Sequence, residues 1–185
     1  MNIPLQRKLF LLLCLLAGSI LQTRAQSGET GRPVVRLQDG AVRGSYSKDA
    51  MVSIFKGIPY AAPPTGALRW KAPRPVQPWK KTLDCSQFPA SAMQGKPVPF
   101  MMWSEEFISP PEPLSEDCLY LNVWTSGKAG EAGKKMPVFV WIHGGGFVSG
   151  SGACAVYDGE SMARDGIVFI SLNYRLGAFG FLSFP

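Results

Sequence analysis

Residues 137–152 read PVFVWIHGGGFVSGSG, and residues 167–174 read IVFISLNY. Each begins with a continuous apolar run of the length of a strand that is buried on both faces of a sheet. Residues 158–164, between them, are suited to a short helix that ends near Gly166. A strand, a helical connection and a second strand in this order predict an α/β fold with a largely parallel sheet.

Directly after the first strand come His143, the only histidine in the chain, and the glycines Gly144, Gly145 and Gly146. A dinucleotide-binding loop needs the pattern Gly-x-Gly-x-x-Gly, but Ser149 stands where the last glycine belongs. A plain structural turn uses glycine for its positive φ, and two glycines would suffice for that. Neither interpretation accounts for three glycines placed after a buried strand.

An oxyanion hole accounts for the glycines better. Acyl-transfer enzymes stabilise the negative oxygen of a tetrahedral intermediate with backbone N–H groups, and glycine lets the main chain approach that oxygen without a Cβ. A His-Gly-Gly-Gly segment in the loop after a strand is the form found in lipases and esterases. We therefore expect His143 to shape the loop rather than to carry protons, because the catalytic histidine of such enzymes follows the serine in chain order.

The stretch GESMA, residues 159–163, is the nearest match to the Gly-x-Ser-x-Gly motif of a nucleophile elbow. An elbow lies between a buried strand and the helix that follows it, whereas here the buried strand comes afterwards. No histidine lies downstream of Ser161 to act as its base, and without a base a hydroxyl is a weak nucleophile. We therefore place Ser161 on the helical connection between the strands and reject it as the nucleophile.

The first half of the chain predicts short strands. Residues 34–37 and 41–44 read as two strands joined at an Asp-Gly turn, which is typical of a hairpin. Residues 52–55 form a further strand, and residues 119–124 alternate in hydrophobicity as strands do. Together they predict a small N-terminal β-sheet that precedes the first strands of the central sheet.

Two segments between these strands are rich in proline. Prolines recur between residues 61 and 78, so we expect an irregular surface segment that is anchored by Trp70 and Trp79. Residues 95–115 also carry several prolines, together with methionine, tryptophan and phenylalanine side chains. The interpretation we favour is a loop that tucks its apolar side chains into the core, and the alternative is that they line a substrate site.

The N-terminus has the features of a secretory signal peptide. Arg7 and Lys8 precede an apolar run that extends to Leu21, and small residues at Thr23 and Ala25 predict cleavage after Ala25. The run is shorter than the roughly 20 residues of a membrane-spanning helix. We therefore expect a secreted or periplasmic protein without a stable membrane anchor, whose residues 26–185 form the folded part.

The charge and the cysteine and histidine content argue against two further classes of function, nucleic-acid binding and metal binding. The whole chain carries a formal charge of +6, but three of its 19 basic residues lie in the predicted signal, so 16 basic against 13 acidic residues leave +3. Those charges are scattered, which argues against a nucleic-acid partner. The folded part has three cysteines, Cys85, Cys118 and Cys154, and no Cys-x-x-Cys pair, and a single histidine argues against a metal site.

Four segments in a fixed order carry a family resemblance. They read FKGIPYA at residues 55–61, EDCLYLNVW at 116–124, WIHGGGF at 141–147 and NYRLGAFGFL at 173–182. This series resembles the type-B carboxylesterase family, the cholinesterase-like branch of the α/β hydrolases, over essentially all of residues 26–185. The resemblance implies the N-terminal part of an α/β-hydrolase fold.

The resemblance also implies a function. The donors of the oxyanion hole would be the N–H groups of Gly145 and Gly146, with His143 and Gly144 shaping the loop. The nucleophilic serine, the acid and the histidine of the family lie beyond Pro185, so we expect a serine carboxylic ester hydrolase, without metal or cofactor, of which only the oxyanion-hole part is present. This chain alone would be inactive. The alternative is a cholinesterase-like binding or adhesion protein that has lost the serine.

One position departs from the family pattern. Many members bridge the cysteine of the Glu-Asp-Cys motif to a cysteine in an upstream Phe-x-x-x-Cys-x-Gln segment. The corresponding residues 88–94 read FPASAMQ and place Ala92 at that position. A bridge between Cys85 and Cys118 stays open as an alternative, and we favour Cys118 as a buried free thiol.

Overall fold

The computed structural model describes residues 31–99, 101–127 and 135–183. Its strands are β1 (Val34–Arg36), β2 (Ala41–Arg43), β3 (Ser45–Tyr46), β4 (Val52–Pro59), β5 (Leu83–Asp84), β6 (Ser91–Ala92), β7 (Leu114–Ser115), β8 (Tyr120–Ser126), β9 (Val138–Ile142) and β10 (Val168–Leu172). The helices are α1 (Glu160–Arg164) and α2 (Gly177–Phe181). Within this part of the chain neither helix has the length or the apolar run that crossing a membrane requires. The signal peptide predicted for residues 1–25 lies outside the described residues.

The predicted strand–helix–strand unit is confirmed. Strands β9 and β10 pair in parallel, with Val138 opposite Val168 and Ile142 opposite Leu172, and α1 lies between them in sequence. The helix ends just before Gly166, which has φ +81°, a backbone conformation that suits glycine. The unit belongs to a five-stranded sheet of order β3-β4-β8-β10-β9. The other pairings in this sheet are antiparallel, so parallel pairing is confined here to β9 and β10.

The predicted hairpin is also confirmed. Strands β1 and β2 pair antiparallel, and the N–H of Leu37 donates to the carbonyl of Gly40 at 2.8 Å to close the turn. Strand β5 adds to β2 in parallel and completes a three-stranded sheet. This is the small N-terminal sheet that the sequence predicts.

Strand β4 runs four residues beyond its predicted end at Phe55, because a bulge carries it past Gly57. The register with β8 shifts between Phe55 and Ile58, and Gly57 has φ +81°. The N–H of Gly57 is turned away from the ladder and donates to Oδ1 of Asn122 at 3.0 Å. A glycine at the bulge and a buried amide on the neighbouring strand therefore keep β4 in the sheet.

The core consists of layers on both faces of the five-stranded sheet. On one face Ala163 of α1 packs against Ile54, Trp124 and Phe169, and Trp124 is fully buried. Burying a large apolar side chain of this kind stabilises a fold by about 1.5–3 kcal/mol. The other face packs Phe55 and Ile58 against the small sheet, through Val42 and Cys85.

Strand β9 is not buried on both faces, and that prediction is wrong. Val138, Phe139, Val140 and Ile142 are 59%, 41%, 49% and 66% exposed. The reason is topological: β9 is the last strand of the sheet, and within the described residues β10 is its only partner. Strand β10, which lies inside the sheet, alternates between buried and half-buried side chains.

The structures of the two proline-rich segments agree with the predictions only in part. Residues 61–78 are irregular apart from one 3-10 turn, and the indole N–H of Trp79 donates to the carbonyl of Ala41 at 2.8 Å, as an anchor would. Trp70 also anchors the segment, but at the surface: it is 60% exposed, stacks on Phe179 and donates its indole N–H to the carbonyl of Ala178 at 3.0 Å. The expectation that residues 95–115 tuck their apolar side chains inside is wrong for Met101, Met102 and Trp103, which are all exposed.

Candidate functional site

The glycine loop that follows β9 folds into a tight turn. Gly145 and Gly146 have φ +118° and +60°, and the carbonyl of Gly145 accepts the N–H groups of Val148 and Ser149 at 3.1 Å each. A Cβ built on Gly145 would lie 1.9 Å from the carbonyl oxygen of Ser149. No side chain fits in that space, so the turn requires glycine at position 145.

The turn leaves two adjacent N–H groups available to a ligand. Gly145 and Gly146 are exposed, and no acceptor in residues 31–99, 101–127 or 135–183 pairs with either of their N–H groups. A Cβ built on Gly146 would meet no heavy atom within 4 Å, so the main chain there is open to close approach. Free N–H groups in a turn with positive φ are suited to binding an anionic oxygen.

His143 faces the interior at the start of the loop. Its side chain is 3% exposed and stacks on the ring of Tyr174, with centroids 4.4 Å apart. The Nδ1–H donates to the carbonyl of Gly144 at 2.8 Å, and the buried Nε2 has no partner among the described residues. Burial lowers the pKa of this histidine, so its neutral form is favoured. The ring thus contacts the backbone of its own loop.

The two residues that follow β10, Asn173 and Tyr174, form hydrogen bonds with both ends of the glycine loop. The hydroxyl of Tyr174 donates to the carbonyl of His143 at 2.6 Å. The side chain of Asn173 accepts the N–H of Gly152 at 2.8 Å and donates to the carbonyl of Ala90 at 3.1 Å. Asn173 is 1% exposed, and Ser151 beside it is fully buried and donates to its Oδ1. These contacts fix the two flanks of the turn in relation to the sheet.

The side chain of Gln94 makes a further contact with the loop, and nothing in the sequence around it predicts this contact. Its side chain bonds both the N–H and the carbonyl of Gly150, at 2.8 and 2.9 Å, at the far end of the loop. The contact joins residues that are 56 positions apart, so no local pattern could reveal it. The same is true of the contact between Tyr174 and His143, which lie 31 positions apart.

Ser161 lies where the sequence predicts, on α1 between β9 and β10. It is exposed and is the second residue of this five-residue helix, and its carbonyl accepts the N–H of Asp165 at 3.3 Å. A nucleophile elbow would place the serine on a turn after a strand. The position of Ser161 therefore gives no support to a catalytic role.

The cysteines and the acidic residues show no sign of a metal centre in the part of the chain that the structure describes, since no three of its His, Cys, Asp and Glu side chains cluster suitably. Cys118 is a buried free thiol, as favoured from the sequence, and packs in a different core cluster from Cys85. Burial, aided by the nearby Asp117, raises the pKa of Cys118 to about 11. The thiol is therefore neutral and poorly nucleophilic at neutral pH.

Comparisons with known proteins agree with this geometry. The profile of the carboxylesterase family matches residues 31–185. A PNB esterase of known structure superimposes with a TM-score of 0.70 and 37% identity, over 82% of this chain and 30% of its own. The fold is therefore that of an α/β hydrolase, in which the loop after β9 carries the free N–H groups. Within that class, the chain belongs to the carboxylesterase family.

Individual relatives show how much of a family member is present. The chain is 41% identical to an acetylcholinesterase of Bungarus fasciatus over 85% of its residues, and 39% identical to a fumonisin B1 esterase of Sphingopyxis macrogoltabida over 92%. It spans 26% and 29% of the length of these two relatives. The chain thus corresponds to somewhat more than a quarter of a typical relative.

Proposed function

We propose that this chain supplies the oxyanion-hole segment of a serine carboxylic ester hydrolase. The observation that carries the proposal is the pair of unpartnered N–H groups of Gly145 and Gly146, held in a glycine turn whose flanks are fixed by Tyr174 and Asn173. Membership of a family that includes several esterases supports the same conclusion.

The reaction assigns a defined task to these two glycines. A serine hydroxyl attacks the ester carbonyl while a histidine accepts its proton, and the carbonyl oxygen becomes an anion. The N–H groups of Gly145 and Gly146 would donate to that oxygen. The alcohol then leaves with a proton from the histidine, and water releases the acid from the acyl-enzyme. The serine, its acid and its histidine are expected beyond Pro185, and the scheme needs no metal or cofactor.

His143 has a different task in this proposal. Its ring is buried and its Nδ1–H is used by the carbonyl of Gly144, so it shapes the loop together with that glycine. A general base must reach the proton that it abstracts, whereas His143 is enclosed by the stacked ring of Tyr174. The proposed substrate is a small carboxylic ester, and the proposed route is export through the signal at residues 1–25, with cleavage after Ala25, to a secreted or periplasmic location.

The product of the complete reading frame that contains this chain tests the proposal. We expect it to hydrolyse p-nitrophenyl acetate and to be labelled by a p-nitrophenyl phosphonate on one serine of a Gly-x-Ser-x-Gly motif beyond Pro185. Labelling of Ser161, with loss of turnover in Ser161→Ala, would contradict the proposal. Absence of both turnover and labelling would favour a binding or adhesion protein of the same fold.

The 185-residue chain on its own provides the matching negative test. We expect no turnover of p-nitrophenyl acetate above the uncatalysed rate, and no effect of Ser161→Ala, because an oxyanion hole without a nucleophile cannot form an acyl-enzyme. Turnover by the purified chain that disappears in Ser161→Ala would show that Ser161 is a nucleophile after all.

A further inference from the structure

Gln94 makes more contacts than an ordinary loop side chain. Its Oε1 accepts the N–H of Gly150 at 2.8 Å and the hydroxyl of Ser109 at 3.3 Å. Its Nε2 donates to the carbonyl of Gly150 at 2.9 Å and to that of Ala92 at 3.1 Å. Two of these four hydrogen bonds join the amide to Gly150, one joins it to Ser109, and one joins it to Ala92 in its own segment.

The backbone of Gly150 needs both a hydrogen-bond donor and an acceptor, and an amide side chain provides both. Gly150 lies outside any strand, so neither its N–H nor its carbonyl has a ladder partner, and half-buried backbone groups need one. A carboxamide carries an acceptor and two donors on one planar group. Gln94 therefore satisfies both backbone groups of Gly150 at once, much as a neighbouring strand would.

Gly150 in turn lies against the beginning of the glycine loop. Its φ is +120°, and a Cβ built on it would lie 2.3 Å from Nδ1 of His143 and 2.6 Å from the carbonyl oxygen of Gly144. The two ends of the loop are therefore in direct contact. Because Gly145 and Gly146 lie between these ends, the position of Gly150 restricts where their N–H groups can point.

We infer that Gln94 is a positioning residue for the oxyanion hole, which it holds in place through the backbone of Gly150. The inference rests on the proposed function. Donors that are fixed before the reaction stabilise the transition state without reorganising. A displacement of about 1 Å at a reacting centre can cost on the order of 100-fold in rate. Loss of the Gln94 contacts should therefore slow the chemical step more than it weakens substrate binding.

The test compares Gln94→Met with wild type in the product of the complete reading frame. Methionine keeps the size of the side chain and removes its hydrogen bonds. We expect kcat for p-nitrophenyl acetate to fall about 10- to 100-fold, with KM changed less than about threefold. The inhibition constant of a trifluoromethyl ketone, which binds as an oxyanion, should rise by the same factor as kcat falls.

Hydrogen exchange of the peptides that cover residues 143–152 supplies a readout independent of turnover. We expect faster exchange in Gln94→Met and unchanged exchange in Gln77→Met, a matched substitution at an exposed glutamine. Ser109→Ala removes a single hydrogen bond to Gln94 and should shift kcat and exchange in the same direction by less. This second variant keeps the test valid if Gln94→Met fails to fold.

The outcomes separate the two proposals. An active wild type whose kcat and inhibitor affinity stay within about twofold in Gln94→Met would overturn the role of Gln94 alone, even if its melting temperature fell. Ser109→Ala and Gln94→Met acting in opposite directions would overturn it as well. A wild-type product without any ester turnover would overturn the proposed function, and with it the catalytic meaning of Gln94.

Discussion

Gly145 occupies a backbone conformation that excludes any side chain. With φ +118° and the Ser149 carbonyl oxygen 1.9 Å from where a Cβ would be, alanine forces the turn to open. We expect Gly145→Ala to lower kcat/KM of the complete product by about 100- to 1000-fold, the loss typical of removing one oxyanion donor. Gly95→Ala is the matched control, because nothing lies within 4 Å of its Cβ position and its φ is not left-handed. Equal activities of the two variants would contradict the assignment.

We expect the Cys118 thiol to lower the free energy of unfolding as the pH becomes alkaline. Burial and Asp117 raise its pKa to about 11 in the folded protein, whereas an unfolded thiol titrates near about 8.5. Between these values the unfolded chain loses a proton that the folded chain keeps, so the free energy of unfolding falls as pH rises. We expect the decline in stability between pH 8 and pH 10 to be shallower in Cys118→Ala, as measured by urea denaturation.

The comparison between pH 6 and pH 7 serves as the control for Cys118. In that range the Cys118 thiol is almost fully protonated in both the folded and the unfolded chain, so the free energies of unfolding of the wild type and Cys118→Ala should differ by a constant amount. Burial also raises the pKa of Tyr60 and Tyr120 to about 12, so these tyrosines lower the free energy of unfolding above about pH 9 by the same linkage. They are present in both proteins, so only the difference between the two slopes is assigned to Cys118. Equal slopes above pH 8 in both proteins would show that Cys118 does not titrate as described.

At the scale of single residues, the sequence predicts those parts of the candidate site that depend on neighbouring residues. It does not predict the parts that depend on contacts between distant residues. The glycine turn follows from the residue types at 143–146, because few patterns need three glycines after a strand. The sequence also identifies Ser161 as a helix residue. The roles of Gln94 and Tyr174 depend on contacts with residues 56 and 31 positions away, and only the folded chain brings those residues together.

Among the elements, β9 is the exposed edge of the sheet. Val138, Val140 and Ile142 share one face, all are about half exposed or more, and no charged side chain interrupts the strand. Apolar edges without charges pair readily with other chains. We expect the isolated 185-residue chain to aggregate and Val140→Lys to reduce that aggregation, as measured by light scattering at matched concentrations.

Met51→Lys is the control for the edge of β9. Met51 is 61% exposed but lies outside the strands, so a lysine there adds the same charge without protecting an edge. If both substitutions improved solubility equally, net charge rather than the edge of β9 would explain the aggregation.

The elements themselves are predictable to different degrees for physical reasons. The hairpin of β1 and β2, the helix α1 and strand β10 follow from turn residues and apolar periods within a short window. The length of β4 does not, because its bulge at Gly57 depends on the amide of Asn122 on another strand. The exposure of β9 does not either, since an apolar run predicts burial and only the strand order shows which strand lies at the edge.

At the scale of the whole molecule, the described residues form the sheet that supports the proposed active site and the loop that carries its proposed oxyanion hole. The sheet fixes Asn173 and Tyr174, these fix the loop, and the loop presents two N–H groups. The class of fold was predictable because four motifs span residues 55–182. The proposed activity also needs groups that the chain does not include, consistent with its covering 26–30% of the relatives' lengths.

The measurement that tests the central claim most directly is a crystal structure of the complete reading-frame product after reaction with a p-nitrophenyl phosphonate. The phosphoryl oxygen of the adduct imitates the oxyanion of the tetrahedral intermediate. We predict that it lies about 2.7–3.1 Å from the backbone nitrogens of both Gly145 and Gly146. An adduct whose oxygen faces other donors, or a protein that forms no adduct at all, would contradict the account.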